Sequence, residues 1–469
     1  MSYEAVIGLE CHVQLATSSK MFCGCRADYA GAAPNTHVCP ICLGMPGVLP
    51  VINRKAIEYT LLTGLALHAD IPSATKFDRK NYPYPDLVKG YQISQYDMPL
   101  VKGGFLEITV GSEATARRIG LERVHLEEDT GKLTHVPGGS LIDFNRSGVP
   151  LMEMVSQPDL RTPTEARAYL QKLRAILRTL GVSDADMEKG QLRCDVNVSL
   201  RPIGATQLGT KVEIKNLNSF RSVQRALEYE IGRQTAALER GERITQETRG
   251  WLEDRAVTVS QRTKEEAHDY RYFPEPDLPP MFVEAAWLSD LRARLPELPD
   301  ARAARYRGAF GLGAYDAEQL STDLSAASLF EQTVAAGADA KKAANWIQND
   351  VARLPSNGRL EPRHLAELIA LVDRGTLGSS AARQLLPEVF RTGKAPTALV
   401  EELGLAQVSD TAELEAAVRS VVDANPAAVA DYRAGKATAI NFLKGQVMKQ
   451  TRSKANPAVA EELLRKLLG

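Results

Sequence analysis

At Leu295–Asp300, in the stretch LPELPD, the chain changes texture, and that change limits the folds open to it more than any single motif does. Upstream, short alternating segments are separated by turn clusters at Gly103-Gly104, Pro137–Gly139 and Arg146–Gly148. A side-chain period of two between turn signals is the pattern of antiparallel strands. Two helices interrupt it. Thr162-Pro163 with Glu165 makes a capping box, and Tyr169, Leu170, Leu173, Ile176, Leu177 and Leu180 follow at the 3.6-residue period up to Gly181. A second helix is expected from Ser219 through Val223, Leu227 and Ile231. Downstream of Asp300 the strand signals fade and Ala, Leu, Glu and Arg dominate, which predicts helices alone. A further break at Gly404–Ser409 precedes the amphipathic stripe Leu414, Ala417, Val418 and Val421. The expected fold class is therefore α+β: an antiparallel-sheet domain over residues 1–292, an all-α domain over 293–404 and a small all-α tail domain over 405–469.

With 469 residues, 44% of them hydrophobic and 25% charged, the chain is too long for one ordinary core and too balanced to be disordered. Its first residues, MSYEAVIGLECHVQL, show no basic leader before an apolar run, and no later window offers the roughly 18 uninterrupted apolar residues of a membrane span. A cytoplasmic protein without membrane contact is expected. The net charge of -1 leaves nucleic-acid binding to local patches. One such patch runs from Tyr432 to Lys454, where Arg433, Lys436, Lys444, Lys449, Arg452 and Lys454 occur with no Asp or Glu. It would attract phosphates, or it is the solvated face of a helix pair. Ile440, Phe442, Leu443, Val447 and Met448 recur at helical spacing and are expected to bury against Leu463, Leu464 and Leu467, leaving the cations to face outward together.

Four of the six cysteines fall in two close pairs, Cys23-Gly-Cys25 and Cys39-Pro-Ile-Cys42. Four thiolates can surround Zn²⁺ tetrahedrally at about 2.3 Å, with no open position for chemistry. The other readings are a vacant site and redox thiols. Cys11 and Cys194 have no thiol nearby in sequence and are expected to be isolated packed residues.

In the opening strand Ala5, Ile7, Leu9, Cys11, Val13 and Leu15 share one face, so Glu10, His12 and Gln14 share the other. The same rule groups Arg193, Asp195 and Asn197, and also Glu213 with Lys215. A solvated sheet face produces this pattern too. Carboxylates converging on a concave sheet, with Glu127 and Glu128 of HLEEDTGK added, would instead call for a hard cation such as Mg²⁺ and could hold the phosphates of ATP. Neither a P-loop nor the protein-kinase signature set occurs.

The segments VIGLECHVQL, DRKNYPYPDLVKGYQISQY, HLEEDTGK, FNRSGVPLMEMVSQPD, LRCDVNVSLRP, EIKNLNSF and DYRYFPEPDLPP follow one another in an order that resembles one family closely. That family is the B subunit of aspartyl-tRNA(Asn)/glutamyl-tRNA(Gln) amidotransferase. The resemblance continues through Asn345–Ile347 and DYRAGKATAINFLKGQVMK to KANP, and so spans essentially the whole chain. Three positions depart from the family pattern: Cys11 replaces an aliphatic residue, Pro83 an aromatic one and Ser453 a glycine.

The resemblance implies a cradle-shaped first domain holding ATP and Mg²⁺, with Glu10, His12, Glu127, Glu128 and Asp195 around the metal and nucleotide, Glu10, His12 and Glu128 being the Mg²⁺ ligands. Lys80, Glu213 and Lys215 would position phosphate or carboxylate, and a tail with Tyr432, Arg433, Lys436, Lys444, Lys449 and Lys454 would grip tRNA. It also implies an amidase-like A subunit that releases ammonia from glutamine, a small C subunit, and mischarged Glu-tRNA(Gln) or Asp-tRNA(Asn) as substrate. Two other readings stand beside it. One is a non-catalytic tRNA-binding or assembly module with a zinc knuckle. The other is an archaeal-type amidotransferase, whose inserted domain has no room between Pro280 and Pro299.

Overall fold

The computed structural model of the chain describes residues 2–110, 116–263, 269–355, 360–405, 411–451, 455 and 457–469. It divides into two compact units, Met1–Leu298 and Pro299–Gly469.

The first unit runs β1 (Tyr3–Gln14), α1 (Arg54–Ala66), β2 (Ala74–Thr75), β3 (Asp78–Asn81), β4 (Tyr91–Ser94), β5 (Val101–Lys102), β6 (Phe105–Thr109), β7 (Ala116–Glu128), β8 (Lys132–Val136), β9 (Gly139–Asp143), β10 (Pro150–Ser156), α2 (Pro163–Thr179), β11 (Leu192–Pro202), β12 (Val212–Lys215), α3 (Phe220–Glu239), β13 (Glu247–Leu252), β14 (Val257–Thr263), β15 (Phe273–Pro274), β16 (Met281–Phe282) and α4 (Ala285–Ala293). Its main sheet has the order β14-β13-β12-β11-β1-β10-β7-β5, with β6 also on β7. Every pairing in it is antiparallel except that of β12 with β13, which α3 joins as a crossover. Smaller sheets order β15-β3-β4, β16-β2 and β8-β9.

Local sequence explains the helices. Thr162 accepts the Glu165 N–H while the Glu165 carboxylate accepts the Thr162 N–H, so the predicted capping box is formed and α2 starts there. Gly181, at φ +66, takes the left-handed turn that ends it. Ser219 caps α3 by accepting the Ser222 N–H at 3.0 Å. Ile57 and Leu61 of α1, Leu170 and Leu173 of α2 and Val223 and Leu227 of α3 join Ile7, Leu9, Cys11 and Val13 of β1 in one core. One face of the sheet is thereby closed by helices, and the alternate residues stand on the other.

Cys11 and Cys194 are not isolated. Register pairs them across β1 and β11, and their buried sulfurs lie 3.8 Å apart. Sequence separation hid a neighbour that strand pairing supplies.

The second unit is built of helices: α5 (Pro299–Phe310), α6 (Ala314–Thr322), α7 (Leu324–Ala335), α8 (Ala340–Asn349), α9 (Pro362–Asp373), α10 (Ser379–Thr392), α11 (Pro396–Glu402), α12 (Thr411–Ala424), α13 (Pro426–Arg433), α14 (Ala439–Gln450) and α15 (Pro457–Leu468). It holds two separate cores. Tyr306, Phe330, Leu365, Leu368 and Leu385 belong to the first, and Val418, Leu443, Val447 and Leu464 to the second. No helix among the described residues is long and apolar enough to cross a membrane.

Candidate active site

The strand β10, PLMEMVS, is apolar apart from Glu153 and its final serine, and Glu153 stands opposite His12 of β1 on one side and His125 of β7 on the other. Three neighbouring strands therefore place imidazole, carboxylate and imidazole in one row. Glu153 Oε2 lies 3.4 Å from His12 Nε2 and 3.3 Å from His125 Nε2. Glu127 follows His125 by two residues and so returns to the same face. Its two oxygens lie 3.8 Å from His12 Nε2 and from His125 Nε2, and Ser94 Oγ donates to one of them at 3.1 Å. Glu10 Oε1 completes the group, 3.9 Å from His12 Nε2.

This cluster is buried at one end and open at the other. Glu127, His125 and Glu153 are only 2%, 4% and 5% exposed, whereas the side chain of Glu10 is 32% exposed. Burial by itself would protonate the acids and strip the histidines. Mutual charge reverses this. Burial pulls His125 down, but Glu153 and Glu127 hold its pKa up at about 9. His12 is pulled down by burial and also ends above its usual value, through its hydrogen bond to Glu153 and the surrounding acids. Burial pushes Glu127 and Glu153 up, yet His125 and His12 bring both below the ordinary carboxylate value, Glu153 well below it. Glu10 behaves differently, because burial and the charge of Glu153 outweigh His12 and raise it.

Two overlapping sets of ligand atoms lie within 4.8 Å of one another: Glu10, His12 and Glu153, and His125, Glu127 and Glu153. The first mixes two carboxylates with one imidazole at the open end, a donor set that suits a hard or borderline divalent cation. Beside it Asp195, opposite Glu10 in register, is hydrogen-bonded to Lys215, which also lies 3.3 Å from Glu213. Burial pulls Lys215 down, but Asp195 and Glu213 raise it, so it stays charged. Lys80 of β3 has its ammonium 5.0 Å from the centre of the Tyr270 ring and 5.9 Å from that of Tyr82. Burial opposes its charge, but Glu127 and Glu153 raise its pKa above the usual lysine value.

The structure thus brings together Glu10, His12 and Glu127, with Asp195, Lys215, Glu213 and Lys80 around them. It does not bring Glu128. Consecutive strand residues point to opposite faces, and the Glu128 carboxylate accepts instead from Lys89 and from the Ile93 N–H at 3.1 Å. It borders a cavity lined by Cys23, Cys42, Phe22 and Tyr91, and is absent from both sets of clustered ligands. Glu153 and His125 are the residues that sequence patterning missed. A lone acid inside an apolar strand and a histidine two places before an acid were the signals for them.

The four cysteines of the loop after β1 do converge, with all four sulfurs within 4.8 Å of one another. A tetrahedron with bonds of about 2.3 Å has edges of about 3.8 Å, so the group can close on one metal ion. Irregular backbone holds it in place through named polar groups. Asn35 donates to the Ile142 carbonyl at 3.1 Å and accepts the Phe144 N–H at 2.8 Å, while Asn145 accepts the His37 N–H at 2.7 Å. The ammonium of Lys20, a residue only 1% exposed, donates to the His37 carbonyl at 2.7 Å and contacts Cys42 Sγ at 3.6 Å. Hydrogen bonding with Cys23 pulls the Cys42 thiol down against its burial, with Lys20 assisting, while the same bond and burial push Cys23 up.

In the tail, the apolar prediction holds for Ile440, Leu443 and Val447, which are buried with Leu463 and Leu464, but not for Phe442, which is 51% exposed. The cations do not all face outward freely either. Lys444 lies 2.8 Å from Glu461 and Lys436 3.1 Å from Asp431, while Arg433 Nε donates to the Leu468 carbonyl at 3.4 Å. The acids come from neighbouring segments, where a scan of one basic stretch does not see them. Arg452 and Lys454 lie outside the described residues.

Residues 5–289 match the family described as the GatB/GatE catalytic domain, and residues 328–468 match the GatB domain. The chain is 55% identical to the B subunit of the aspartyl/glutamyl-tRNA(Asn/Gln) amidotransferase of Moorella thermoacetica, over 100% of both chains. It is 56% identical to that of Thermomicrobium roseum, over 100% of this chain and 99% of the relative. The corresponding protein of Dehalococcoides mccartyi is 52% identical over 99% of each. Matches of this length and identity, covering both the sheet unit with its clustered acids and the helical unit, establish that the chain belongs to the family of aspartyl/glutamyl-tRNA(Asn/Gln) amidotransferase B subunits.

Proposed function

We propose that this chain is the component of a tRNA-dependent amidotransferase that activates the side-chain carboxyl of Glu-tRNA(Gln), Asp-tRNA(Asn) or both with ATP, so that ammonia can replace it by an amide. The observation that carries the reading is the acid-histidine row of His12, Glu153 and His125, with Glu127 and Glu10 beside it, in a chain related to this family from end to end. The ammonia is released from glutamine by an amidase-like A subunit, a small C subunit braces the pair, and the assembly works in the cytoplasm.

The chemical obstacle is the leaving group: a carboxylate could lose only oxide or hydroxide. Attack of the substrate carboxylate on the γ-phosphorus of ATP forms an acyl phosphate and ADP, and attack of ammonia then forms the amide and expels phosphate. Glu10, His12 and Glu153 are the residues that would hold Mg²⁺, which offsets negative charge on the phosphates when bound. The imidazole of His125 keeps Glu153 and Glu127 ionised and fixed. Lys80 and Lys215 supply positive charge beside the acids and orient phosphate or carboxylate. Cys23, Cys25, Cys39 and Cys42 bind a structural Zn²⁺. The tail from about residue 405 holds the tRNA body.

The test is the reconstituted three-subunit complex supplied with each mischarged tRNA, ATP and glutamine. Glu10→Ala should abolish tRNA-dependent ATP cleavage and amide formation while glutamine hydrolysis by the partner persists. Undiminished ATP cleavage would leave only the non-catalytic assembly module.

A further inference from the structure

In α14, AINFLKGQVMKQ, the residues Ile440, Leu443 and Val447 are buried, so the opposite face carries Asn441, Phe442, Gly445 and Lys449. Phe442, Gly445 and Lys449 follow at intervals of three and four and therefore lie along one stripe. That stripe is unusual in two ways. A phenylalanine in mid-helix is left 51% exposed although a core lies on the other side of the same helix. One turn on, Gly445 occupies a helix interior, where glycine is the poorest ordinary residue. Nothing among the described residues requires it. A β-carbon there would meet no atom within 4 Å, and Gly445 is not among the residues at positive φ. The missing side chain leaves a flat clearing beside an aromatic ring.

Charge says what fits the clearing. α14 contains no Asp or Glu, and Lys449 lies two turns from Phe442 on the same face, without an ion pair among the described residues. On the other side Phe442 walls a shallow groove with Thr438, Ala439, Pro426 and Ala428, in which Lys436 lies 3.1 Å from Asp431. An open aromatic face with the Lys449 ammonium on the same stripe accepts a nucleobase by stacking and a flanking phosphate by charge. We infer that Phe442 stacks an unpaired base of the bound RNA, and that Gly445 is there to let the sugar-phosphate chain of that nucleotide approach the helix. The inference rests on the reading of the chain as a tRNA-binding subunit and adds the site and the chemistry of one contact.

The experiment is equilibrium binding of unacylated tRNA(Gln) transcript to the full-length chain at fixed salt, with thermal melting as the control for folding. Phe442→Leu keeps size and apolarity but removes the ring, and should weaken binding about tenfold, within the range measured for loss of one stacked base. Phe442→Trp should keep binding close to that of the parent. Gly445→Leu, which favours the helix, should weaken binding as strongly as Phe442→Leu with no loss of thermal stability. If Phe442→Leu binds like the parent, or if Phe442→Trp falls with it, stacking is overturned. The combined reversal Lys436→Glu with Lys449→Glu separates this from the broader reading. Loss of binding there, with none in Phe442→Leu, overturns the stacked base and leaves a phosphate-only tRNA surface, whereas no loss in either overturns the tail as an RNA-binding face.

Discussion

Among its described residues the first unit contains two places able to take a cation, and they are held by opposite means. Glu10, His12, Glu127 and Glu153 stand on paired strands, where register fixes each side chain and the core behind the sheet keeps the register. Cys23, Cys25, Cys39 and Cys42 stand on a loop, positioned by Asn35, Asn145 and Lys20. A site on strands survives the loss of its ion. A loop held by a few hydrogen bonds depends on its metal for part of its fold. On the proposed function, the same ability to bind a cation would serve chemistry in one place and architecture in the other.

Glu153→Gln should produce the largest effect, because it removes the charge common to both sets of ligands while keeping the shape. ATP-dependent amide formation should fall by about a hundredfold or more, the scale on which one charge-stabilising group acts. Melting in the presence of chelator should change far less, and a collapse of the fold in this variant would break the comparison.

Next in size is Cys42→Ser. Metal analysis should drop from about one zinc per chain to none, as expected for a four-thiolate site deprived of a ligand. The melting temperature should fall with it, while the surviving folded fraction keeps its turnover. A parent protein with reduced thiols and no zinc would remove the architectural half of the contrast.

Lys20→Met should follow. It leaves the part-buried His37 carbonyl without its Lys20 donor, takes one of two donors from the Phe144 carbonyl, which keeps the Ser147 N–H, and removes the cation beside Cys42. The expected loss is about 1–3 kcal/mol of stability, as for other buried groups left unpaired. Zinc should be retained but released faster to chelator. Stability equal to the parent would show that the loop does not rely on these bonds.

The smallest effect is a pH dependence of the metal-free protein. His125 has its folded pKa raised to about 9, so its contribution is complete below its unfolded value of about 6.5 and is lost as pH rises toward 9. Glu153 and Glu127 are depressed, so theirs is present above about 4.5 and is lost as pH falls further. The cluster should therefore stabilise most between about pH 4.5 and 6.5. Melting temperatures measured from pH 6.5 to 9 should decline, and His125→Gln should flatten the decline. An unchanged slope in that variant would mean that the row is not the source.

How much of this was legible in the sequence depends on whether the cause is local. Strand alternation alone put Glu10 and His12 on one face, a capping box alone started α2, and the spacing of the cysteine pairs alone announced a four-thiol group. The change of texture at Leu295–Asp300 lies next to the observed boundary between the units, at Leu298 and Pro299. Each of these follows from residues within one turn, strand or loop.

What the tertiary structure decided is which residues become neighbours. A period of two says which face a side chain takes but not what lies across from it, and register is settled by pairing between strands far apart in sequence. That is why Glu153 could not be foreseen between His12 and His125, nor Cys11 beside Cys194. Adjacency misled for the same reason: Glu127 and Glu128 are neighbours in the chain, yet the pleat sends one carboxylate to the acid-histidine row and the other to Lys89. In the tail, a run without acids looked uniformly basic until folding brought Glu461 to Lys444, and the helix that buried Leu443 turned Phe442 outward. The sequence by itself determined the elements, their faces and the family. Packing alone determined the company each charge keeps, because that depends on contacts no short window of sequence contains.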